Sequence, residues 1–462
     1  MTPLLLLACS GADALSPGPR PGPDVVLITV DTLRHDGIGH PAMTALADRG
    51  QVYTNATTPL VRTTPALASM LTGLTPEHHG SLEVGEPMTA DSLVTRFQQA
   101  GWSTLGVSGS AVASGEQGLD AGFDQFELLD DPRASELTTR ALELLPEDGS
   151  RFVWVHYTDT HFPYLPPNAS EGPCRTLGNR ARSGKLKRAR IFANEGDMAL
   201  NALDHCKELY AGEAAHADSA IATLLAAFDD PLVLLSSDHG ENMGDWGLWF
   251  EHGPDVHPAT FRIPLVLAGP GVPVGEDDGV AQLQDVMPTL LELAGLATPV
   301  VDGVSLLTGE RPFAASGMSG TALHVRLTGY LRSGRADKRN CLNGPVYSLC
   351  SDGFFDHSVD PGLSKDLTGT LPEPEAALAA AAQLWPPERA RQLTARGPEH
   401  TLVAQPTLSG YELRLFSNSD LDTPVEDDAA LQALLPFLPA PPSGSPVPAS
   451  NEAALRALGY IE

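Results

Sequence analysis

Short runs of apolar, mostly β-branched residues recur along the N-terminal part of the chain, and stretches with helical periodicity lie between most of them. The first run reads VVLITV over Val25–Val30, which is typical of a strand buried on both faces of a parallel sheet. The predicted strands cover residues 25–30, 103–107, 152–156, 232–235 and 264–267. The predicted helices cover residues 43–49, 64–71, 90–100, 135–145, 209–228 and 286–294. This alternation predicts an α/β fold with a mostly parallel central sheet that is flanked by helices.

The length of the chain, 462 residues, allows two or three domains at roughly 150 residues per domain. A stretch at 308–320 is rich in Gly, Ser and Pro, and such a composition predicts a boundary between domains. We therefore expect a Gly-, Pro- and Ser-rich tether over residues 1–23, a large α/β domain over 24–315 and a smaller C-terminal α+β domain over 316–462.

The chain is strongly acidic, with 58 Asp and Glu against 29 Lys and Arg and a formal net charge of −29. A nucleic-acid-binding protein needs a basic face, so this composition argues against that class. No apolar run reaches the roughly 18 residues that a membrane-spanning helix needs. Seven of the 29 basic residues lie between 175 and 190. They form either a rim that attracts an anionic substrate or a solvated loop.

Residues 1–10 read MTPLLLLACS, which resembles a bacterial lipoprotein signal. In that interpretation Cys9 carries a lipid anchor and the protein is exported to the bacterial cell envelope, with this anchor as its membrane contact. The alternative is an ordinary N-terminus, because the apolar run is short and no basic residue precedes it. The other cysteines are Cys174, Cys206, Cys341 and Cys350. An even number in an exported protein predicts a disulfide within each nearby pair, and four buried thiols are the alternative.

Polar side chains follow three of the predicted strands, at the points where those strands end. Asp31 follows the first strand, HYTDTH covers residues 156–161, and SSDHGE covers residues 236–241. Because ligand sites in open α/β sheets lie beyond the carboxyl ends of the strands, we expect these side chains to meet. Carboxylates and imidazoles are ligands for a divalent metal, whereas each residue by itself would more commonly cap a helix or a turn.

A hydroxyl side chain, Thr63, lies where a predicted helix begins with Thr64 and Pro65. The N-terminus of a helix attracts phosphate or sulfate groups, because it offers N–H donors and a partial positive charge. Beside a metal, Thr63 could act as the nucleophile for an anionic ester. On local evidence alone, a capping role for Thr63 and Thr64 is the alternative.

Six segments of the chain, taken together and in order, resemble the sulfatase family of the alkaline phosphatase superfamily. They are VVLITVDTLR at 25–34, TTPALASMLTGLTPEHHG at 63–80, VWVHYTDTHFPYLPP at 153–167, SSDHGENMGDWGLWFEHG at 236–253, RIPLVLAGPG at 262–271 and DVMPTLLELAGLATPVVDGVSLL at 285–307. The resemblance implies an alkaline-phosphatase-like fold, a sulfatase-like catalytic domain over 24–315, and hydrolysis of sulfate or phosphate esters.

The resemblance also implies roles for individual residues. Asp31, Asp238 and His239 match metal ligands, and Thr63 matches the position of the catalytic nucleophile, which also lies at the metal. His161 and His252 match histidines that contact the anionic group of the ester or its leaving oxygen, and Asp218 matches a structural position. The implied cofactor is one divalent metal ion. Calcium is the metal of many sulfatases, whereas an imidazole ligand such as His239 favours manganese or zinc.

The chain departs from the family at four places that bear on mechanism. Sulfatases carry Cys or Ser at the position of Thr63 and convert it to formylglycine, an aldehyde that threonine cannot form. Leu67 replaces the arginine of the family motif, residues 106–110 lack the Lys and His that many sulfatases carry there, and Thr32 replaces a second Asp. The metal side of the site therefore survives, whereas part of its cationic side is missing.

These departures leave three functional hypotheses. Thr63 itself attacks a sulfate or phosphate ester, and a threonine nucleophile favours phosphoryl transfer. In the second hypothesis, the protein is a silent sulfatase-like scaffold that binds anionic glycans. In the third, it is a transferase that moves a phosphoryl-linked group onto an envelope glycan. Uncompensated buried carboxylates are costly without a metal, and this favours catalysis. The expected substrate is a sulfated or phosphorylated small molecule, glycan or lipid.

Overall fold

The structure is a computed structural model of the chain. Cys9 and residues 177–190 of the basic stretch lie outside the residues that it describes. The described residues are 21–176, 198–243, 250, 252, 258–308, 314–317, 324–327, 330–334, 340–343, 347–350, 353–356, 367–368, 370, 393–407, 410–418 and 420–435.

An eight-stranded sheet forms the centre of the N-terminal part, with the strand order β4-β3-β5-β1-β6-β7-β2-β8. The strands are β1 (Val25–Val30), β2 (Gly50–Thr57), β3 (Ser103–Ser108), β4 (Gln125–Leu128), β5 (Arg151–Tyr157), β6 (Leu232–Ser236), β7 (Leu265–Ala268) and β8 (Gly275–Gln282). All neighbouring pairs are parallel except those of β7, which runs antiparallel to β6 and to β2. The predicted mostly parallel sheet is confirmed.

Helices cover both faces of this sheet. They are α1 (Pro41–Asp48), α2 (Thr63–Thr72), α3 (Pro76–His79), α4 (Leu93–Gln99), α5 (Ala134–Leu144), α6 (Met198–Leu225), α7 (Pro258–Phe261) and α8 (Val286–Leu293). Side chains alternate between the two faces of β1, so that Leu27 packs into one apolar layer and Ile28 into the other. Among the described residues, no helix has both the length and the hydropathy needed to span a bilayer.

Helix α2 is the element that positions the candidate nucleophile. All ten of its residues are buried, and it ends at Gly73, whose φ of 69° lies in the left-handed region that glycine tolerates. Pro65 lies in the first turn, where its missing N–H leaves no helical hydrogen bond unmade. The helix is therefore held inside the apolar layer, and its first residue is fixed at the carboxyl edge of the sheet.

The C-terminal part contains two antiparallel sheets of five strands, with the orders β10-β11-β12-β13-β14 and β18-β17-β16-β15-β9. The strands are β9 (Ala314–Gly317), β10 (His324–Leu327), β11 (Tyr330–Gly334), β12 (Asn340–Asn343), β13 (Tyr347–Cys350), β14 (Gly353–Asp356), β15 (Leu393–Arg396), β16 (His400–Thr407), β17 (Gly410–Ser417) and β18 (Asp420–Pro424). Helix α9 (Asp428–Leu434) follows the last strand. The expectation of a smaller C-terminal α+β region is confirmed.

A disulfide joins Cys174 to Cys206, which confirms the first of the two predicted pairs. It connects the segment after β5 to helix α6, and both residues are fully buried. The register of β12 and β13 places Cys341 opposite Cys350. A second disulfide remains a prediction.

Replacing Cys174 and Cys206 together by alanine is expected to lower the free energy of unfolding by roughly 3–4 kcal/mol, because the bond spans 32 residues and restricts the unfolded chain. Thermal unfolding with and without reductant measures the effect. Reduction should destabilise the natural protein more than the double variant. Equal melting temperatures for the two proteins under oxidising conditions would contradict the expectation.

Candidate active site

Three side chains that could hold a metal ion meet at the carboxyl ends of β1 and β6, which are neighbours in the sheet. Asp31 directly follows β1, whereas Asp238 and His239 lie just beyond the end of β6. Each of the three is buried and offers one ligand atom, and these three atoms lie within 4.8 Å of one another. The structure therefore brings Asp31 together with two residues that lie 207 and 208 positions further along the chain.

The backbone at Thr32 helps to fix this group. Thr32 has a φ of 60°, which is rare for a β-branched residue and costs on the order of 1–3 kcal/mol. In this conformation its N–H donates to Oδ1 of Asp238 at 3.2 Å, and its hydroxyl donates to the carbonyl of Asp31 at 2.6 Å. Thr32 thus connects the carboxylate of Asp238 to the backbone of Asp31 through hydrogen bonds.

The charges of this group fit a bound cation. Burial, followed by repulsion from Asp238 and Glu241, holds the pKa of Asp31 well above its usual range. Within the described part of the chain, Oδ1 of Asp31 and Oδ2 of Asp238 accept no hydrogen bond. Two buried carboxylates in this state are costly unless a positive charge compensates them, so the residues present fit a divalent metal ion.

His239 offers a nitrogen lone pair as the third candidate ligand atom. Burial, opposed by the charge of Asp238, lowers the pKa of His239, so the imidazole is neutral. Its Nδ1 lies 2.9 Å from the carbonyl of Gly240, and because a carbonyl only accepts, Nδ1 carries the hydrogen. The other nitrogen, Nε2, lies 3.3 Å from Oδ2 of Asp238. This arrangement orients Nε2 as a metal ligand.

Thr63 lies directly beside these three residues. It is the first residue of α2, its relative exposure is 4%, and its Oγ1 lies 3.3 Å from Nε2 of His239. The hydroxyl is therefore adjacent to the candidate metal ligands and at the N-terminus of a helix, as the sequence predicts.

The two other candidate histidines lie next to this group, with His252 beside His239 and His161 beside His252. The ring centroid of His252 lies 4.3 Å from that of His239 and 5.3 Å from that of His161. Nδ1 of His252 lies 3.2 Å from Oε1 of Glu241, and Nδ1 of His161 lies 2.8 Å from the carbonyl of Phe162. Both imidazoles are thus oriented by an acceptor at Nδ1.

An open cavity of about 550 Å³ lies above this group. Asp31, Thr63, His161 and His252 line it, whereas Asp238 and His239 are fully buried beneath. A cavity of this size accommodates a small ligand or one end of a larger one. All six residues proposed from the sequence therefore lie at one place.

The structure shows where the positions that depart from the family pattern lie, and what Asp218 contacts. Leu67 is fully buried in the apolar layer and does not line the cavity. Gly109 and Ser110 line the cavity without adding charge. Asp218 accepts hydrogen bonds from the N–H groups of Ala42 and Met43 at the start of α1, which agrees with a structural role. Asp218 thus stabilises the N-terminus of that helix.

The charged residues that line the cavity and were given no role from the sequence include Arg62, Asp159 and Glu213. Arg62 directly precedes Thr63, and this adjacency is the signal that could have identified it. Asp159 accepts from the N–H of Ala134 at 3.1 Å and thereby caps α5, and Glu213 accepts from the N–H of Leu165. The cavity wall therefore also carries carboxylates that have structural partners.

Asp159 gives a pH-dependent prediction. Burial raises its pKa from 3.8 to about 6, so the folded protein binds this proton more tightly than the unfolded chain. The free energy of unfolding then falls as the pH rises from about 4 to about 6, and it stays lower above that range. Asp159→Asn keeps an acceptor for Ala134 and is expected to raise the free energy of unfolding at pH 8 by about 3 kcal/mol.

Urea denaturation of Asp159→Asn and the natural protein at pH 4 and pH 8 measures this effect. The stabilisation should be present at pH 8 and absent at pH 4. Asp302 is the matched control, because hydrogen bonds from Thr75 and His78 lower its pKa despite partial burial. Asp302→Asn should destabilise the protein at pH 8. A lower stability of Asp159→Asn at pH 8 would contradict the expectation.

Comparisons with known proteins identify relatives of the chain. Residues 23–296, more than half of the chain, match the family model described as sulfatase. Choline-sulfatase from Rhizobium meliloti (strain 1021) is 42% identical over 83 residues, which are 17% of this chain and 16% of that protein. Arylsulfatase from Clostridium perfringens (strain 13 / Type A) is 24% identical over 374 residues, which cover 62% of this chain and 77% of that protein.

A solved structure is similar in fold. The phosphonate monoester hydrolase from Silicibacter pomeroyi matches with a TM-score of 0.60 and 17% identity, over 90% of this chain and 93% of that chain. At this identity the likeness shows the fold alone. Because the family model matches more than half of its residues, the chain belongs to the sulfatase family of hydrolases.

Proposed function

We propose that the protein is a metal-dependent hydrolase of sulfate or phosphate esters in which Thr63 is the nucleophile and phosphoryl transfer is favoured. One observation carries the proposal: Oγ1 of Thr63 lies 3.3 Å from Nε2 of His239, in a group whose ligand atoms lie within 4.8 Å of one another. The nucleophile of an ester hydrolase needs this proximity to the groups that activate it.

Asp31, Asp238 and His239 would hold the divalent metal, with the hydroxyl of Thr63 beside them. When bound there, such an ion lowers the pKa of a neighbouring hydroxyl and offsets negative charge on the ester. Two carboxylates suit calcium, whereas the neutral imidazole of His239 favours manganese or zinc. The donor set thus supports a divalent cation and leaves its identity to measurement.

Thr63 loses its hydroxyl proton to water and then attacks the phosphorus or sulfur atom. A bond forms between Oγ1 of Thr63 and that atom, while the bond to the ester oxygen breaks and its electron pair leaves with the alcohol. His252 or His161 donates a proton to the leaving oxygen. N–H groups at the start of α2 stabilise the oxygens that remain on the transferred group.

Water completes the cycle by attacking the threonine ester and restoring the hydroxyl of Thr63. A threonine ester lacks the aldehyde hydrate by which formylglycine releases sulfate, so hydrolysis depends on this attack. Phosphate esters of a hydroxyl side chain are established intermediates of related chemistry. For this reason the proposal favours phosphoryl over sulfuryl transfer.

Hydrolysis assays test this function. The metal-loaded protein should hydrolyse bis(4-nitrophenyl) phosphate or 4-nitrophenyl sulfate, lose activity with a chelator and regain it with calcium, manganese or zinc. No turnover together with binding of sulfated glycans would instead support a silent scaffold. Turnover that requires an added acceptor alcohol would support a transferase.

We further propose that the protein works outside the cytoplasm. A disulfide between Cys174 and Cys206 persists in an oxidising compartment, and this supports export to the cell envelope. Metabolic labelling with a radioactive fatty acid tests the predicted lipid anchor at Cys9. Label that is lost in Cys9→Ser supports the anchor, and an unlabelled natural protein contradicts it.

A further inference from the structure

The family motif places an arginine on the same helix as Thr63, and this chain carries Leu67 at that position. Leu67 is fully buried in the apolar layer and does not line the cavity. An anionic ester nevertheless requires positive charge at this point. We propose that Arg62, the residue directly before Thr63, binds the non-bridging oxygens of the ester. This inference rests on the proposed function and assigns the anion-binding side chain of that site.

Arg62 has the position that such a role requires. It is the N-cap residue of α2, with extended backbone angles of φ −155° and ψ 137°, and it lines the cavity together with Asp31, Thr63 and His252. One of its terminal nitrogens donates to the carbonyl of His252 at 3.1 Å. This bond ties the guanidinium to the backbone of one of the two candidate proton donors.

The chemistry of the Arg62 side chain also fits this role. Arg62 is the chain neighbour of Thr63, whose Oγ1 lies 3.3 Å from Nε2 of His239. A planar guanidinium can donate two parallel N–H bonds to two oxygens of one tetrahedral anion. Arg62 therefore supplies a permanent charge and a matching geometry beside the nucleophile.

Arg133 is the other arginine among the described residues that line the cavity. It lies at the N-cap of α5, is exposed, and donates to the carbonyl of Leu165 at 3.1 Å. Gly109 and Ser110 lie where the family carries further cations and add no charge. Arg133 is thus the matched control for Arg62, since it contributes the same charge to the same cavity from the start of a different helix.

Isothermal titration of the metal-loaded protein with inorganic phosphate and inorganic sulfate tests the inference without catalysis. Arg62→Gln should weaken the binding of these ions at least tenfold, Arg62→Lys should restore part of it, and Arg133→Gln should change it less than threefold. Metal content and melting temperature are measured on each variant. In hydrolysis, Arg62→Gln should lower kcat/KM by about 100-fold with unchanged metal content.

Equal affinities for phosphate and sulfate in the natural protein and Arg62→Gln would overturn the inference, and so would an equal loss in Arg133→Gln. A natural protein that binds neither ion would overturn it as well. The two proposals fail separately. Arg62-dependent binding of phosphate without any turnover would refute the hydrolase and keep the anion site. Hydrolysis that is insensitive to Arg62→Gln would keep the hydrolase and refute the role of Arg62.

Discussion

Thr63→Ala is expected to lower kcat for ester hydrolysis by about 10³-fold or more, because it removes the oxygen that forms the covalent bond. Thr63 is buried beside His239, and alanine fits the same helix, so the fold and the metal content should persist. Thr63→Ser keeps a hydroxyl and should retain much of the activity. Steady-state kinetics on the three proteins at equal metal occupancy measure the effect.

Thr64 is the control for this experiment, because it is the next residue on the same helix and also carries a hydroxyl. Its Oγ1 donates to the carbonyl of Val112 at 2.6 Å and accepts from the N–H of Gly85 at 3.1 Å. Thr64→Ala should therefore cost about 1–2 kcal/mol of stability and leave most of the activity. Activity that survives in Thr63→Ala and disappears in Thr64→Ala would contradict Thr63 as the nucleophile.

Asp31→Asn is expected to weaken the binding of a divalent metal at least about 100-fold and to abolish hydrolysis with it. In the metal-free protein the same change should raise the free energy of unfolding by about 1–3 kcal/mol. Asp31 is buried opposite Asp238, and asparagine removes one of two repelling charges. Metal titration and urea denaturation, each with and without chelator, measure the two effects.

If Asp31 is a metal ligand, Asp31→Asn should stabilise the metal-free protein and destabilise the metal-loaded protein. A structural carboxylate would not give these opposite changes. Asp36 lies five residues further along the chain and pairs with Arg34 at 2.9 Å on the surface, so Asp36→Asn should change neither quantity by much. A metal-free Asp31→Asn protein that is less stable than the natural one would show that the carboxylate stabilises the fold. Unchanged metal affinity would remove Asp31 from the ligand set.

Much of the central sheet could be predicted because its inner strands are buried on both faces. All six residues of β1 are buried, and the apolar sequence of such a strand is distinctive. The edge strand β8 reads GEDDGVAQ and is exposed over most of its first half, so its sequence lacks that pattern. The edge strand β4 lacks that pattern for the same reason. Strand β2 is mostly buried, but its sequence GQVYTNAT is rich in polar residues and therefore lacks the pattern too.

The candidate site was predictable where its residues follow strand ends. Asp31 and Asp238 lie at the same sheet edge because β1 and β6 are parallel neighbours, and topology alone brings them close. The contribution of Arg62 was not predictable in this way. Whether its side chain faces a cavity depends on the extended backbone before α2 and on the position of the His252 carbonyl, and both are properties of the folded chain.

Intact-mass analysis of the acid-quenched, metal-loaded protein tests the central claim most directly. The natural protein is mixed for milliseconds with 4-nitrophenyl phosphate or 4-nitrophenyl sulfate, and the site of any adduct is located by peptide fragmentation. A covalent Thr63 nucleophile predicts an adduct of about 80 Da on Thr63 that is absent in Thr63→Ala. Turnover without an adduct at Thr63, or with the adduct on another residue, would contradict it.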